Sequence, residues 1–197
     1  MRARKIPLLL TGIIHTALQS CEGVRFQADD TCPCCGGAMS GYDERKKRFA
    51  VLIEEGQTIP VHVIIRRSYC RTCKMFSRPP EPFYFGTRVG SPVVDLCRSF
   101  SRTMPYSRAA TYLQRMGVVV DRWSVRQYAG MSLPDMPTME VFGMQIPLSV
   151  ITLSTLAGSA RETVTLGMDD VLEACSYPSE VQDSTTYPDP ADLFRTG

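Results

Sequence analysis

Two Cys-x-x-Cys pairs limit what this chain can fold into more than any other feature. Cys32 and Cys35 lie in "TCPCCGG", and Cys70 and Cys73 lie in "YCRTCK". Each pair fits one tight turn whose backbone amides support two sulfurs. Two such turns facing each other close a four-sulfur cage. Zn2+ prefers a soft, four-coordinate site of this kind, and a structural site is closed, with no position left for substrate. The doubled spacing therefore predicts a zinc ribbon with Cys32, Cys35, Cys70 and Cys73 as ligands to Zn2+. Cys34 is the spare thiol. Cys32 to Cys35 spans a full knuckle, and Gly36 follows at a position that often needs positive φ. In the second knuckle Lys74 stands where a glycine is more usual.

Between the pairs the sequence reads as a hairpin. Phe49–Ile53 forms one strand, Glu54-Glu55-Gly56 the turn, and Val61–Tyr69 the other strand. Pro60 belongs at a strand start or on an edge. His62 is a half-buried strand residue, since four cysteines already complete the ligand set. The basic run Arg45, Lys46, Lys47 and Arg48 precedes the first strand, and Arg66 and Arg67 close the second. A cluster this dense suits phosphate contact, where counterion release dominates non-specific affinity. A merely solvated charged face is the plainer alternative.

Charge divides the chain. Residues 1–130 hold 20 Lys+Arg against 10 Asp+Glu, whereas residues 131–197 hold 2 against 10. The halves thus carry +10 and −8, a split expected of a nucleic-acid-binding part with an acidic tail.

The eight cysteines and the start "MRARKIPLLLTGIIHTALQSC" also admit a secreted, disulfide-bonded reading. The apolar run is short, however, and Thr11, Gly12 and His15 break it. The same residues make an amphipathic helix with Ile6, Leu9, Leu10, Ile13, Ile14, Ala17 and Leu18 inward. The paired knuckles favour the helix and a cytoplasmic protein. No stretch is long enough to span a membrane. Cys97 and Cys175 read as small core residues, and Cys21 has no assignment.

After the Pro-rich stretch "RPPEPFYFGTRVGSP", whose Phe83, Tyr84 and Phe85 are expected to dock on a neighbour, three helical patterns follow. Ser91 caps the first, with Val93, Leu96, Cys97 and Phe100 inward. The second starts near Pro105, buries Ala109, Ala110, Leu113 and Met116, and ends at Gly117. Asp121 caps the third, which hides Val125, Tyr128 and Ala129. It presents Arg122, Trp123, Ser124, Arg126 and Gln127. This is a helix-turn-helix layout, although "GVVVD" makes a longer turn than the tightest repressors use. Arg pairs with guanine, Gln with adenine, and Ser with bases or phosphates, so Arg122, Ser124, Arg126 and Gln127 join the basic hairpin residues as candidate DNA contacts.

The order of knuckle, basic hairpin, knuckle, linker and three helices resembles the N-terminal region of prokaryotic insertion-sequence transposases. The matching residues are "CPCCGG", "RRSYCRTCK" and "SRAATYLQRMGVVVDRWSVRQYA", covering about residues 30–130. The resemblance implies a zinc ribbon and a helix-turn-helix that bind terminal inverted repeats of duplex DNA. Those transposases continue into a DDE-type nuclease domain. The 67 residues from Met131 onward are too few for one. Asp169-Asp170 is no substitute, because adjacent helical side chains diverge. It reads instead as the acidic start of a helix running to Cys175.

The expected fold class is α+β: a small zinc-ribbon hairpin domain, a tri-helical unit and a partly disordered acidic tail. The expected divisions are a helix over 1–28, the ribbon over 29–78, a linker over 79–90, the helix-turn-helix over 91–131 and an acidic segment over 132–197. Leu148, Val150, Ile151, Leu153 and Leu156 need a partner surface, either the tri-helical unit or a second subunit. The function expected is DNA binding without nuclease activity, with itself or a full-length transposase as further partners. The alternative is a zinc-stapled protein-interaction module.

Overall fold

The computed structural model describes residues 6–159 and 166–175. The chain is mixed α+β. Helix α1 (Leu8–Gln19) comes first, then β1 (Arg25–Gln27), the long pair β2 (Met39–Glu54) and β3 (Gln57–Cys70), and the short β4 (Phe76–Ser77). Helices α2 (Ser91–Thr103), α3 (Tyr106–Arg115) and α4 (Arg122–Ala129) follow. A small hairpin of β5 (Thr138–Val141) and β6 (Met144–Pro147) leads into α5 (Leu148–Ser159), and α6 (Met168–Cys175) comes last. The acidic stretch expected to be disordered, from Tyr177 onward, lies outside the described residues.

The main sheet runs β1-β3-β2. β1 is parallel to β3, β2 is antiparallel to it, and β4 pairs Phe76 and Ser77 with Tyr69 and Ser68. The predicted strands are there but longer. The basic run Arg45–Arg48 does not precede the first strand, because it lies inside β2, opposite His62 to Ile65 of β3. Irregularities in the register between Gly41 and Asp43, and between Arg48 and Ala50, hide this continuity from a simple alternation pattern. The turn is Glu55-Gly56, both at positive φ.

Alternation gives the sheet two unlike faces. Val61, Val63 and Ile65 point to one side and are buried with Phe26, Ala50 and Leu52. They share one core with Leu10, Ile14, Ala17, Leu18 and Cys21 of α1 and its C-terminal turn. The inward stripe of α1 is narrower than its periodicity suggested. Leu9 is 63% exposed, because it shares the outer edge of the helix with the half-buried Ile13 four residues on.

The tri-helical unit joins the sheet through backbone. Val119 donates its N–H to the Val51 carbonyl at 2.9 Å, and Ile53 donates to Gly117 at 2.8 Å. The connection between α3 and α4 is thus paired to the free edge of β2 near the hairpin tip, which accounts for its length. Gly90 donates to the Phe49 carbonyl at 2.7 Å. It lies so close that a β-carbon there would meet the Phe49 ring at 2.2 Å. Gly90, not Ser91, is the residue before the first turn of α2, and no side chain caps that helix. In the preceding linker Phe83 is buried edge-on against Phe49, and the Tyr84 hydroxyl donates to the buried Asp95 at 3.0 Å. Phe85 does not dock and is 85% exposed.

The apolar segment near residue 150 finds its partner within the chain. Val150 and Leu153 of α5 are buried in the common core, and α5 packs chiefly on α1. Arg98 of α2 holds the chain after α4, donating to the Leu133 and Pro134 carbonyls, each at 3.1 Å. Cys21, Cys97 and Cys175 are all buried as free thiols. No helix among the described residues is long and apolar enough to cross a membrane.

Candidate metal centre and the basic surfaces

The first knuckle precedes β2 and the second leaves β3, so the β2–β3 ladder brings both to one end of the sheet. Their local backbone is nearly the same. Gly36 donates to the Cys32 carbonyl at 2.9 Å, and Lys74 donates to the Cys70 carbonyl at 3.0 Å. Cys32 donates to Gly37 and Cys70 to Met75, each at 2.8 Å. Gly36 has φ +70° and Lys74 φ +63°, so the lysine takes the conformation that glycine supplies in the other knuckle.

The sulfurs of Cys32, Cys35, Cys70 and Cys73 all lie within 4.8 Å of one another. Cys32 Sγ is 3.5 Å from Cys73 Sγ, and Cys35 Sγ is 3.6 Å from Cys70 Sγ. A tetrahedral ion with metal–sulfur bonds of about 2.3 Å sets its ligands about 3.8 Å apart, so these four fit a metal ion as they stand. The Cys73 and Thr72 amides turn toward the Cys70 sulfur and bring that thiol down to about 6. At Cys73 the Met75 amide acts in the lowering direction, yet desolvation and the three neighbouring sulfurs push the thiol up to about 12. A cation among the four would relieve that crowding by favouring thiolates throughout. Cys34 is exposed and outside the cluster.

The basic hairpin residues separate by face. On one side Arg67 donates its Nε to Asp43 Oδ1 at 2.6 Å, and a second guanidinium nitrogen binds the same carboxylate. Arg45 also reaches Asp43, at 3.3 Å. The Arg67 side chain holds the Asp43 carboxyl below its usual range. Lys47 pairs with Glu81 at 3.1 Å, and its ammonium lies 3.7 Å from the Phe83 ring centre. Register places Lys46, Arg48 and Arg66 on the other side with Ile64 and His62, and all three cations are exposed. Arg25 of β1 joins that side and pairs with Glu44 at 3.4 Å. Arg48 is also near enough to α4 for its charge to act on the Tyr128 phenol.

Asp121 caps α4 as expected, accepting from Trp123 N at 2.7 Å and Ser124 N at 2.9 Å. The Ser124 hydroxyl donates to the same carboxylate at 2.7 Å, so it is engaged in the cap and half-buried. Val125 and Tyr128 face the core, leaving Arg122, Arg126 and Gln127 exposed. The exposed candidate contacts therefore divide between the sheet, with Lys46, Arg48 and Arg66, and α4, with Arg122, Arg126 and Gln127.

Sequence reasoning missed the carboxylates that neutralise Arg45, Lys47 and Arg67. It also passed over Trp123 as a site residue. This single tryptophan of the chain is 64% exposed, with the Arg122 and Arg126 guanidiniums 5.1 Å and 5.8 Å from its ring centre. Its neighbours in sequence, arginines one residue before and three after, were the available signal. No protein family, curated protein or solved structure gives a significant match to this chain.

Proposed function

We propose that this chain is a zinc-stapled, duplex-DNA-binding protein of the kind its motif order suggests: a zinc ribbon joined to a helix-turn-helix, without nuclease activity of its own. The observation that carries the reading is the exposed face of α4. A short helix with a firm N-cap and a buried back offers Arg122, Arg126 and Gln127 together. These side chains match the hydrogen-bonding edges of guanine and adenine in a major groove. The exposed Lys46, Arg48 and Arg66 supply a second basic surface for phosphates. Zinc is the natural ion for four thiolates in a closed tetrahedral cage. A full-length transposase, or a second copy of the chain, is the further partner that the resemblance suggests, in the cytoplasm.

The test is a titration of zinc-loaded protein with a pool of random duplexes, read by fluorescence anisotropy. Binding that Arg126→Ala weakens at particular sequences supports base readout. No binding at low salt refutes the reading. One observation favours the protein-interaction alternative: Arg45, Lys47 and Arg67 are already matched by Asp43 and Glu81 within the chain.

A further inference from the structure

Between α3 and α4 the surface opens into a cleft of about 470 Å³, lined by Pro105, Tyr106, Ser107, Arg122, Trp123 and Arg126. None of the six lining residues is acidic. Among the described residues, Arg122 and Arg126 make no ion pair, and both instead lie over the indole. Such stacking within about 6 Å is a cation–π contact, and it steadies the ring. The Trp123 backbone is fixed as well, because its N–H is bonded to Asp121. The Asp121 carboxylate faces its own helix turn and is occupied by three donors there. Tyr106, 40% exposed, adds a second aromatic wall.

We propose that this cleft seats one unpaired nucleotide at a strand end: its base displaces an arginine from the Trp123 face and stacks there, and Arg122 and Arg126 turn from the ring to its phosphate. The occupant follows from the shapes. A base pair inside a duplex offers a groove-bound side chain its edges, while its faces are covered by the neighbouring pairs. A flat, exposed indole flanked by two cations gains most from a free π-face attached to an anion. An unpaired base at a strand end or overhang supplies both. The proposal rests on the nucleic-acid reading of α4 and adds to it a preference for a frayed or overhanging end over a blunt one.

Because Trp123 is the only tryptophan, fluorescence excited selectively at tryptophan, apart from the eight tyrosines, reports on this cleft. The experiment compares one duplex in blunt form and with a three-nucleotide single-stranded overhang, both titrated into the zinc-loaded full chain. The expected result is stronger quenching by the overhang duplex and affinity at least about fivefold higher than for the blunt form, the low end of one base–aromatic stack. Read by the anisotropy of a labelled duplex, Trp123→Ala should abolish the preference while still binding the blunt duplex and retaining zinc, and Trp123→Phe should keep part of the preference. Equal quenching and affinity for the two duplexes overturns the proposal, as does a preference that survives Trp123→Ala. Binding of the overhang duplex without any binding of the blunt duplex keeps the cleft and removes the duplex reading. No binding of either removes both and leaves the Trp–Arg cluster as a protein-docking feature.

Discussion

Val119 and Val51 are joined by a backbone hydrogen bond of 2.9 Å, which makes the connection between α3 and α4 an extension of the β2 edge. The metal knuckles lie at the other end of the same strand pair, from Met39 opposite Cys70 to Glu54 opposite Gln57. The four-cysteine cluster and the helix docking are therefore separated by the length of the ladder.

This separation has a consequence for metal removal. Chelation should free the knuckles while the hairpin tip stays paired, because the tip is held by the core around Leu52 and Val118. Hydrogen exchange should show the Gly36, Cys70 and Lys74 amides losing protection while Ile53 and Val119 keep theirs. Equal loss at both ends would mean that the ion holds the whole sheet.

The ligand set makes a sharper forecast. Cys70→Ser should take the chain from one bound zinc to none at ordinary concentrations, since three thiolates cannot close the cage. Cys34→Ser should leave one zinc bound, because that thiol is outside the cluster. Metal analysis after desalting decides both.

Asp121 ties stability to pH. Its carboxyl sits below the ordinary carboxylate range, held there by the Ser124 hydroxyl, then the Ser124 and Trp123 amides. A lowered folded value means that the cap contributes fully above the unfolded value of about 3.9, and that the contribution disappears as pH falls through the folded value. Asp121→Ala should cost about 0.5–2 kcal/mol in urea unfolding at pH 7, and the difference from the parent should shrink in acid. A difference that grows toward low pH would contradict this.

The two hairpin faces should differ toward DNA. Lys46→Gln and Arg66→Gln each remove an exposed cation. For every phosphate no longer neutralised, the slope of log affinity against log salt should become shallower by about 0.9. Arg67→Gln removes a cation already matched by Asp43 and should leave the slope unchanged. Equal slopes for all these variants would place the DNA elsewhere.

Features that depend on nearby residues could be read from the sequence. The four clustered cysteines stood out because each knuckle is defined within four residues. The Asp121 cap and the buried Ala109, Leu113, Val125 and Tyr128 followed from helical spacing. Pairings between distant segments could not be read this way. The alternation of β2 was concealed because cations occupy both of its faces, and only Asp43 and Glu81 distinguish them. The packing of α5 on α1 joins segments far apart in the chain, and no local pattern predicts it. The β5–β6 hairpin turns at Phe142-Gly143, with Phe142 at φ +52°, a conformation its residue type does not announce.

The most direct test of the central claim is the salt dependence of duplex binding by the zinc-loaded chain. Affinity should fall steeply and linearly in log–log form as salt rises, and the slope should become shallower when Lys46 and Arg66 are both changed to Gln. A zinc-bound protein whose weak association with duplex DNA is indifferent to salt would contradict it, and would leave the ribbon as a staple for a protein-binding surface.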